Sequence, residues 1–339
     1  MINRIYRLTA PKVIEVDYED MPLDGGILLK PTYMSVCRAD QRYYFGLRSA
    51  DVMKKKLPMA LIHEAAATVV YDPSGEFARG EQVVMIPNVP PAGYAGGEIY
   101  ENYAEGAGFL SSGLDGFLRE YVVMPRDRVV SVEGVKGHIA SSAELLSVCV
   151  HACDRFLHIS HSKRDSIGVW GDGSVAYFLC VVLRYMMPDA HITVIGKSPS
   201  KLAYFSFCDE VYDAGEIPAD YACDHAFECC GGEGSSFALD DIIKYIRPQG
   251  TVMLMGVSEN KVPVLTRMVL EKGLCMVGSS RSGRADFEKA AEIMKNRYAH
   301  QRLERVTCYH GEVRSTTDLH AVFDKSSTNE FKTSFYFNI

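Results

Sequence analysis

Residues 167–176 read Ile-Gly-Val-Trp-Gly-Asp-Gly-Ser-Val-Ala, which predicts a buried strand, a tight glycine turn and the first turn of a helix. The turn fits the pattern G-x-G-x-x-G/A: Gly171 turns the backbone, Gly173 leaves room for a pyrophosphate, and Ala176 keeps the helix close to the strand. The free N–H groups at the start of the helix favour phosphate. The predicted cofactor contacts at this turn are Gly171, Asp172, Gly173, Ser174 and Val175.

Outward from this turn, the second half of the chain alternates between strands and helices. Strand-like runs lie at 166–170, 191–195, 210–212, 225–228, 251–255 and 275–278. The clearest helices between them are 177–187 and 235–246. Six strands with helical crossovers predict an α/β fold with a doubly wound parallel sheet, which is a Rossmann domain.

The first part of the chain has a different pattern, with short strand-like runs separated by turns. These runs lie at 13–16, 26–33, 66–71, 82–87, 117–123 and 129–132, and they predict a mostly antiparallel, barrel-like domain. The Gly-, Pro- and Tyr-rich segment 88–116 is predicted to be a loop. A helix at 140–157 leads into the second domain. The tail has predicted helices at 287–296 and 317–325 and a strand at 332–337, and we expect it to complete the first domain.

Composition excludes several classes of function. The 339 residues are 47% hydrophobic, which is ample for two packed cores. The formal net charge of -7 argues against a nucleic-acid or membrane-surface partner. No apolar run reaches the about 18 residues of a membrane span. The ten cysteines lack C-x-x-C spacing, so we expect reduced thiols in a cytoplasmic protein.

Three residues of the first part offer a mixed set of metal ligands. Cys37, His63 and Glu144 supply a thiolate, an imidazole and a carboxylate, the set typical of a catalytic zinc that keeps its fourth position open. Asp40 and Glu64 are carboxylates that can orient such ligands.

The order of motifs along nearly the whole chain resembles that of the zinc-dependent medium-chain alcohol and polyol dehydrogenases. The motifs that carry the resemblance are Cys37-x-x-Asp40, His63-Glu64, Gly80-x-x-Val83, Asp-Gly-Phe at 115–117, Glu-Tyr at 120–121, Glu-Leu-Leu-Ser at 144–147 and the nucleotide turn. The resemblance implies a GroES-like catalytic domain formed by residues 1–148 and 284–339, and a Rossmann domain formed by residues 149–283.

The resemblance also implies a ligand set. In the polyol and threonine dehydrogenase branch a glutamate replaces a cysteine ligand, which implies zinc on Cys37, His63 and Glu144. It places Glu64 beside the ion, as a further member of the metal site, and Asp40 behind His63. All of these except Glu144 also count as predicted catalytic residues.

The chain departs from the family pattern at several positions. Segment 88–116 has no cysteine, so we expect one catalytic zinc and no structural zinc. Ile62 and Ala67 stand where relatives have glycine. Ala39 stands where many relatives have a hydroxyl that relays protons, which leaves zinc-bound water and Glu64 as alternative proton donors.

Other phrases of the sequence resemble the ribulose-5-phosphate reductases. These phrases are at 39–44, 61–64, 170–173, 271–274 and 278–283. The resemblance implies NADPH- and zinc-dependent reduction of D-ribulose 5-phosphate to D-ribitol 5-phosphate, which supplies CDP-ribitol for teichoic acids or capsules. It also implies a cytidylyltransferase of the same pathway as a partner, and a homodimer joined through the strand at 275–278.

The end of the second nucleotide-domain strand favours NADPH over NADH. An acidic residue that would bind a ribose 2′-hydroxyl is missing there, and Gly196 takes its place. Lys197, Ser198 and Lys201 offer charge and hydrogen-bond donors to a 2′-phosphate.

A phosphorylated substrate requires cationic or hydroxyl groups, and the planar guanidinium of arginine suits phosphate best. Arg42 and Arg281 are the candidates for the substrate phosphate, whereas Arg38 is assigned to the cofactor pyrophosphate by the resemblance. Further hydroxyl donors are Ser111, Ser112, Ser279 and Ser280.

Two alternative functions remain open at the level of sequence. The first is a zinc-dependent NADP dehydrogenase for an unphosphorylated polyol. The second is a non-catalytic NADPH-binding sensor, which would have no reason to keep a complete set of metal ligands.

Overall fold

A computed structural model describes all 339 residues, which form two compact units. The first unit comprises residues 1–147 and 281–339, and the second comprises residues 148–280. The predicted boundaries differ by one residue at the first crossing and by three at the second, so Arg281 belongs to the first unit. The hydroxyls of Ser147 and Ser282 form a hydrogen bond of 2.7 Å, which joins the two chain segments of the first unit close to their ends.

The strands are, in chain order, β1 Ile2–Ala10, β2 Val13–Asp20, β3 Ile27–Val36, β4 Met59–Ala60, β5 Glu64–Tyr71, β6 Gln82–Met85, β7 Asn88–Val89, β8 Gly108–Phe109, β9 Val122–Met124, β10 Val129–Ser131, β11 Ser166–Trp170, β12 His191–Gly196, β13 Glu210–Asp213, β14 His225–Glu228, β15 Thr251–Leu254, β16 Cys275–Gly278, β17 Thr307–Val313 and β18 Lys332–Phe337. The α-helices are α1 Arg38–Tyr44, α2 Ala50–Lys56, α3 Gly137–Ala140, α4 Ala143–Ile159, α5 Ser174–Met186, α6 Pro199–Leu202, α7 Gly234–Tyr245, α8 Thr266–Lys272, α9 Arg284–Lys295, α10 Arg297–Arg305 and α11 Thr316–Thr328. None of the helices combines the length and the apolar composition that a membrane-spanning helix needs.

The first unit is mostly β. Its seven-stranded sheet has the order β10-β6-β5-β3-β18-β17, with β9 also paired to β3, and a three-stranded sheet has the order β2-β1-β4. Strand β18 pairs antiparallel with β3, so the tail of the chain completes this unit. One apolar core with Met34, Phe117 and Phe335 lies beneath these strands.

The second unit is a six-stranded parallel sheet in the order β13-β12-β11-β14-β15-β16. The first strand of this unit, β11, therefore lies in the middle, with chain order reversing on either side of it, which is the doubly wound arrangement. The α/β fold class is confirmed. Strand β11 is buried because it is covered on both faces, as its apolar sequence indicates.

Several local predictions were wrong. The predicted strand at 117–123 is only β9, because the N–H groups of residues 116–118 instead donate to the carbonyls of residues 60–62, at the end of β4 and just after it. The predicted helix at 140–157 is α4, which begins three residues later than predicted because the separate short helix α3 ends at Ala140. Ser141 and Ser142 lie between them, and their hydroxyls bond to the carbonyls of His138 and Ile139, which competes with helical bonding. Strands β1 and β17 and helix α10 were missed.

The glycine turn of the second unit depends on a contact between two consecutive strand ends. The Asp172 carboxylate accepts hydrogen bonds of 2.8 Å from the backbone N–H groups of Lys197 and Ser198. A Cβ atom on Gly196 would lie 2.7 Å from the Asp172 Cβ. Gly196 is therefore required for a steric reason, in addition to leaving the site without a ribose-binding carboxylate.

We expect Gly196→Ala to lower the free energy of unfolding by about 1–3 kcal/mol, because the added methyl group overpacks against Asp172. Urea unfolding measures this. Gly173→Ser is the matched control: Gly173 is the N-cap of α5, nothing lies within 4 Å of a Cβ there, and serine caps helices well. Equal stabilities of the two variants would contradict the steric argument.

Candidate active site

The candidate metal site lies where three neighbouring strands of the first unit meet. Cys37 follows the end of β3, His63 and Glu64 stand at the start of β5, and Lys332 begins β18. Because β3 runs antiparallel to both β5 and β18, these positions fall at the same end of the sheet. Ligand atoms of Cys37, His63 and Glu64 all lie within 4.8 Å of one another.

The residue before His63 has an unusual backbone conformation. Ile62 has a φ of 68°, in the left-handed region that β-branched residues rarely adopt. The glycine of relatives at this position would adopt it without strain. The Ile62 N–H donates a 3.0 Å hydrogen bond to the Asp40 carboxylate, which holds the strained conformation.

The Asp40 carboxylate contacts several other residues of the site. Asp40 is fully buried in α1, and its carboxylate accepts hydrogen bonds from the Cys37 N–H at 3.2 Å and the Ser111 hydroxyl at 2.6 Å. Asp40 Oδ1 also lies 3.4 Å from Nδ1 of His63, which leaves Nε2 of that ring for a metal. A carboxylate behind a histidine in this way fixes the ring and raises its basicity.

Ser111 is therefore not a free donor for a substrate phosphate. It is buried, it has a φ of 60°, and its hydroxyl is committed to Asp40. The sequence-based suggestion of a phosphate ligand at Ser111 is wrong for this reason.

Glu64 forms a buried ion pair with Lys332. Neither side chain exceeds 5% exposure, and Lys332 Nζ contacts Glu64 Oε1. Glu64 Oε2 has no hydrogen-bond partner. Burial by itself would lower the pKa of Lys332, but the neighbouring Glu64 carboxylate outweighs burial and raises it. Lys332 thus occupies one carboxylate oxygen of Glu64 and leaves the other without a hydrogen-bond partner.

Glu144 lies in the first turn of α4 and is not a member of the three-residue group. Burial, with a smaller contribution from Glu64, raises its pKa to about 7, and His63 opposes the shift. Glu144 is therefore within electrostatic range of His63 and Glu64, but it is not among the three residues whose ligand atoms lie within 4.8 Å of one another.

The donor set fits a zinc ion. One thiol and the carboxylates of Glu64, Glu144 and Asp40 surround His63 and Lys332. Burial would lower the pKa of His63, yet Asp40 and Cys37 raise it well above its usual range, which shows that the pocket attracts positive charge. Zinc is borderline-soft and accepts sulfur, nitrogen and oxygen ligands together.

An aromatic ring and a guanidinium extend the site. The ring of Phe109, in β8, lies 5.4 Å from that of His63, and the Arg281 guanidinium lies 4.9 Å from the Phe109 centroid. Burial lowers the pKa of Arg281, and Glu144 opposes the shift. Arg281 has a φ of 58°, a strained conformation that tends to occur at functional sites.

The other predicted arginines lie on α1. Arg38 is its exposed first residue, and Arg42 is half-buried in its last turn. Of the two predicted phosphate ligands, Arg281 is the one that the structure connects to the candidate metal site, because it contacts the Phe109 ring, which lies beside His63.

In the second unit, the predicted cofactor residues come together at the ends of β11 and β12. Gly171 has a φ of 135°, which requires glycine, and its N–H bonds to the Ile195 carbonyl at 2.8 Å. Ser174 and Val175 form the first turn of α5. Lys197 Nζ lies 4.8 Å from the Phe237 ring centroid, and Lys201 Nζ lies 3.9 Å from Asp172 Oδ1.

Sequence reasoning missed two residues of the site, Lys332 and Phe109. Lys332 had one signal, a lysine at the start of an otherwise apolar and hydroxylic strand, Lys-Thr-Ser-Phe-Tyr-Phe. Phe109 had none, because it lies in a segment predicted to be a loop.

Comparison with known proteins places the chain in a family. A model of the alcohol dehydrogenase GroES-like domain matches residues 23–134. Ribulose-5-phosphate reductase of Streptococcus pneumoniae is 49% identical, over all of this chain and 98% of that protein. The chain belongs to the medium-chain alcohol dehydrogenase family.

Two further relatives agree. Ribulose-5-phosphate reductase of Bacillus spizizenii is 45% identical over 87% of this chain and 86% of that protein. The crystal structure of S. aureus TarJ in complex with NADPH is 38% identical, covers all of both chains and has a TM-score of 0.89. The predicted resemblance to this family and to its ribulose-5-phosphate reductases is confirmed.

We expect Lys332→Met to destabilise the zinc-free protein by about 3–5 kcal/mol, because it leaves Glu64 buried and unpaired. Urea unfolding after treatment with a chelator measures this. Adding Glu64→Gln to Lys332→Met removes the buried charge and should restore much of the loss. A single variant as stable as the wild type would show that the pair is not needed.

Proposed function

We propose that this protein reduces D-ribulose 5-phosphate to D-ribitol 5-phosphate, with NADPH as hydride donor and one zinc ion. The observation that carries the proposal is the position of Arg281, a half-buried guanidinium next to Phe109 and within the electrostatic reach of Glu144. A cation at that place suits a substrate whose phosphate is a few bonds from its ketone. The two named reductases, at 49% and 45% identity, support the same substrate.

The proposed zinc ligands are Cys37, His63 and Glu144. A bound zinc ion is a Lewis acid that polarises a ketone carbonyl, and NADPH supplies the hydride to the carbonyl carbon. Asp40 orients His63 and anchors the backbone on both sides of the site. Glu64 lies within the 4.8 Å group, and Lys332 contacts one of its two carboxylate oxygens, so Glu64 would lie beside a bound ion.

The proposed NADPH site is the turn at 171–175 with Gly196, Lys197, Ser198 and Lys201. Strand β12 ends in glycine rather than in a carboxylate, so this position itself presents no acidic side chain to a 2′-phosphate. Asp172 lies beside this strand end, and two backbone N–H groups and Lys201 offset its charge. The NADPH complex of S. aureus TarJ supports this choice, and the resemblance assigns Arg38 to the pyrophosphate.

The remaining parts of the proposal come from the resemblance. The product would feed CDP-ribitol synthesis in the cytoplasm, through a cytidylyltransferase. A homodimer would form through β16, which pairs only with β15 and leaves its other edge available.

The first test is NADPH oxidation, followed by absorbance, on protein whose zinc content has been measured. We expect about one zinc per chain and a kcat/KM about 10–100-fold higher for ribulose 5-phosphate than for ribulose, because charge-assisted bonds to phosphate contribute about 1.5–3 kcal/mol. NADH in place of NADPH is the cofactor control.

Each other outcome points to a different function. Equal rates with ribulose and ribulose 5-phosphate would favour an unphosphorylated polyol as substrate. Protein that binds NADPH and purifies without zinc would favour a sensor.

The second test concerns the phosphate ligand. Arg281→Met should raise the KM for ribulose 5-phosphate about 10–100-fold and leave the kcat/KM for ribulose nearly unchanged, since a charge-assisted bond to phosphate is lost. Arg42→Met, on the same unit, is the matched comparison. If Arg42→Met alone raises the KM, the phosphate site lies at α1 and the assignment to Arg281 fails.

A further inference from the structure

An ion pair that no sequence pattern indicated joins Glu101, in the segment 88–116, to the buried Arg128, which lies beyond that segment. The guanidinium of Arg128, 7% exposed, binds the Glu101 carboxylate in a bidentate manner, Nη1 to Oε1 at 2.7 Å and Nη2 to Oε2 at 3.0 Å. A fork of two parallel bonds fixes orientation as well as distance. The pair therefore anchors this Gly-rich segment at Glu101.

Arg128 connects the anchor to the strands of the segment. Its Nη1 also donates to the carbonyl of Asn88 at 3.4 Å. Asn88, in β7, is the register partner of Phe109 in β8, and the Leu110 N–H bonds to the Pro87 carbonyl at 3.0 Å. We call β7, β8 and residues 110–111 the site hairpin. One guanidinium thus holds both the loop, at Glu101, and the site hairpin, at Asn88.

The site hairpin delivers two side chains to the candidate active site. Phe109 lies against His63 and beneath the Arg281 guanidinium. Ser111 donates its hydroxyl to Asp40, which lies behind His63. A shift of the hairpin therefore changes the surroundings of the metal and the support of Arg281 together.

Glu101 has a second contact with the same region. A Cβ atom on Gly283 would lie 3.0 Å from Glu101 Oε1, so the carboxylate packs against the backbone two residues after Arg281. The ion pair therefore contacts two neighbouring parts of the site. Arg128 bonds to the site hairpin at Asn88, and Glu101 packs against the backbone at Gly283, two residues after Arg281.

We propose that Glu101 and Arg128 are positioning residues, which hold the site hairpin so that Phe109 supports Arg281 and Ser111 supports Asp40. The part of this inference that concerns substrate rests on the proposed function. The part that concerns the metal does not, because it follows from the contact of Ser111 with Asp40.

Glu101→Gln is the principal variant, because it keeps the shape of the side chain and removes its charge. Glu120→Gln is the matched control: Glu120 pairs with Arg4 at 3.0 Å in the same unit and has no contact with the site hairpin. Zinc-loaded enzymes are compared by the rate of zinc transfer to a colorimetric chelator and by steady-state kinetics. Urea unfolding confirms that each variant is folded.

For Glu101→Gln we expect zinc transfer about 3–10-fold faster and a KM for ribulose 5-phosphate about 10-fold higher, with kcat changed less than KM. Arg128→Lys, which keeps the charge but loses the fork, should show the same two defects. Arg128→Lys also disturbs the bonds of Arg128 to Asn88 and Asp127, so the double variant should be no worse than Arg128→Lys alone.

Equal zinc transfer rates and equal KM values in Glu101→Gln and Glu120→Gln would overturn the inference. A wild-type enzyme that does not reduce ribulose 5-phosphate would overturn the proposed function instead. In that case the zinc transfer rate still decides whether the ion pair positions the site.

Discussion

The charge balance around His63 is the constraint on which the first unit depends. The carboxylates of Asp40, Glu64 and Glu144 lie near the Cys37 thiol at this place, and the basic groups that interact with them are Lys332, His63 and Arg281. Uncompensated buried charge is costly, so every element that carries one of these residues has to arrive in register. The same collection of sulfur, nitrogen and oxygen ligands suits a divalent cation such as zinc.

Asp40 holds the residues of the site in position. Its carboxylate accepts hydrogen bonds from the backbone N–H groups of Cys37 and Ile62 and from the hydroxyl of Ser111, which is distant in sequence. The strained Ile62 shows how strongly the site is determined, since a β-branched residue accepts a left-handed conformation only where its surroundings hold it. A glycine would adopt that conformation without strain, but it would add flexibility to the segment before His63.

In the second unit, a carboxylate likewise organises the backbone around a site. Asp172 is turned toward the backbone of the next strand end, and the absence of a side chain on Gly196 makes room for it. One glycine thereby serves two purposes, because it lets the carboxylate pack and leaves the strand end without an acidic group. The fold positions the turn, and the turn creates a surface that suits phosphate.

By itself, the sequence determined the parallel sheet, the glycine turn, the residue types of the candidate metal site and the likeness to a family, because each is encoded in residues close together or in a fixed order of motifs. Only the tertiary structure decided that Lys332 neutralises Glu64, that Phe109 lies between His63 and Arg281, and that Arg128 anchors the loop at Glu101. Lys332 and Glu64 are 268 residues apart in sequence. Local periodicity reports which face of an element is buried, but the partner of a buried charge depends on how distant strands are paired.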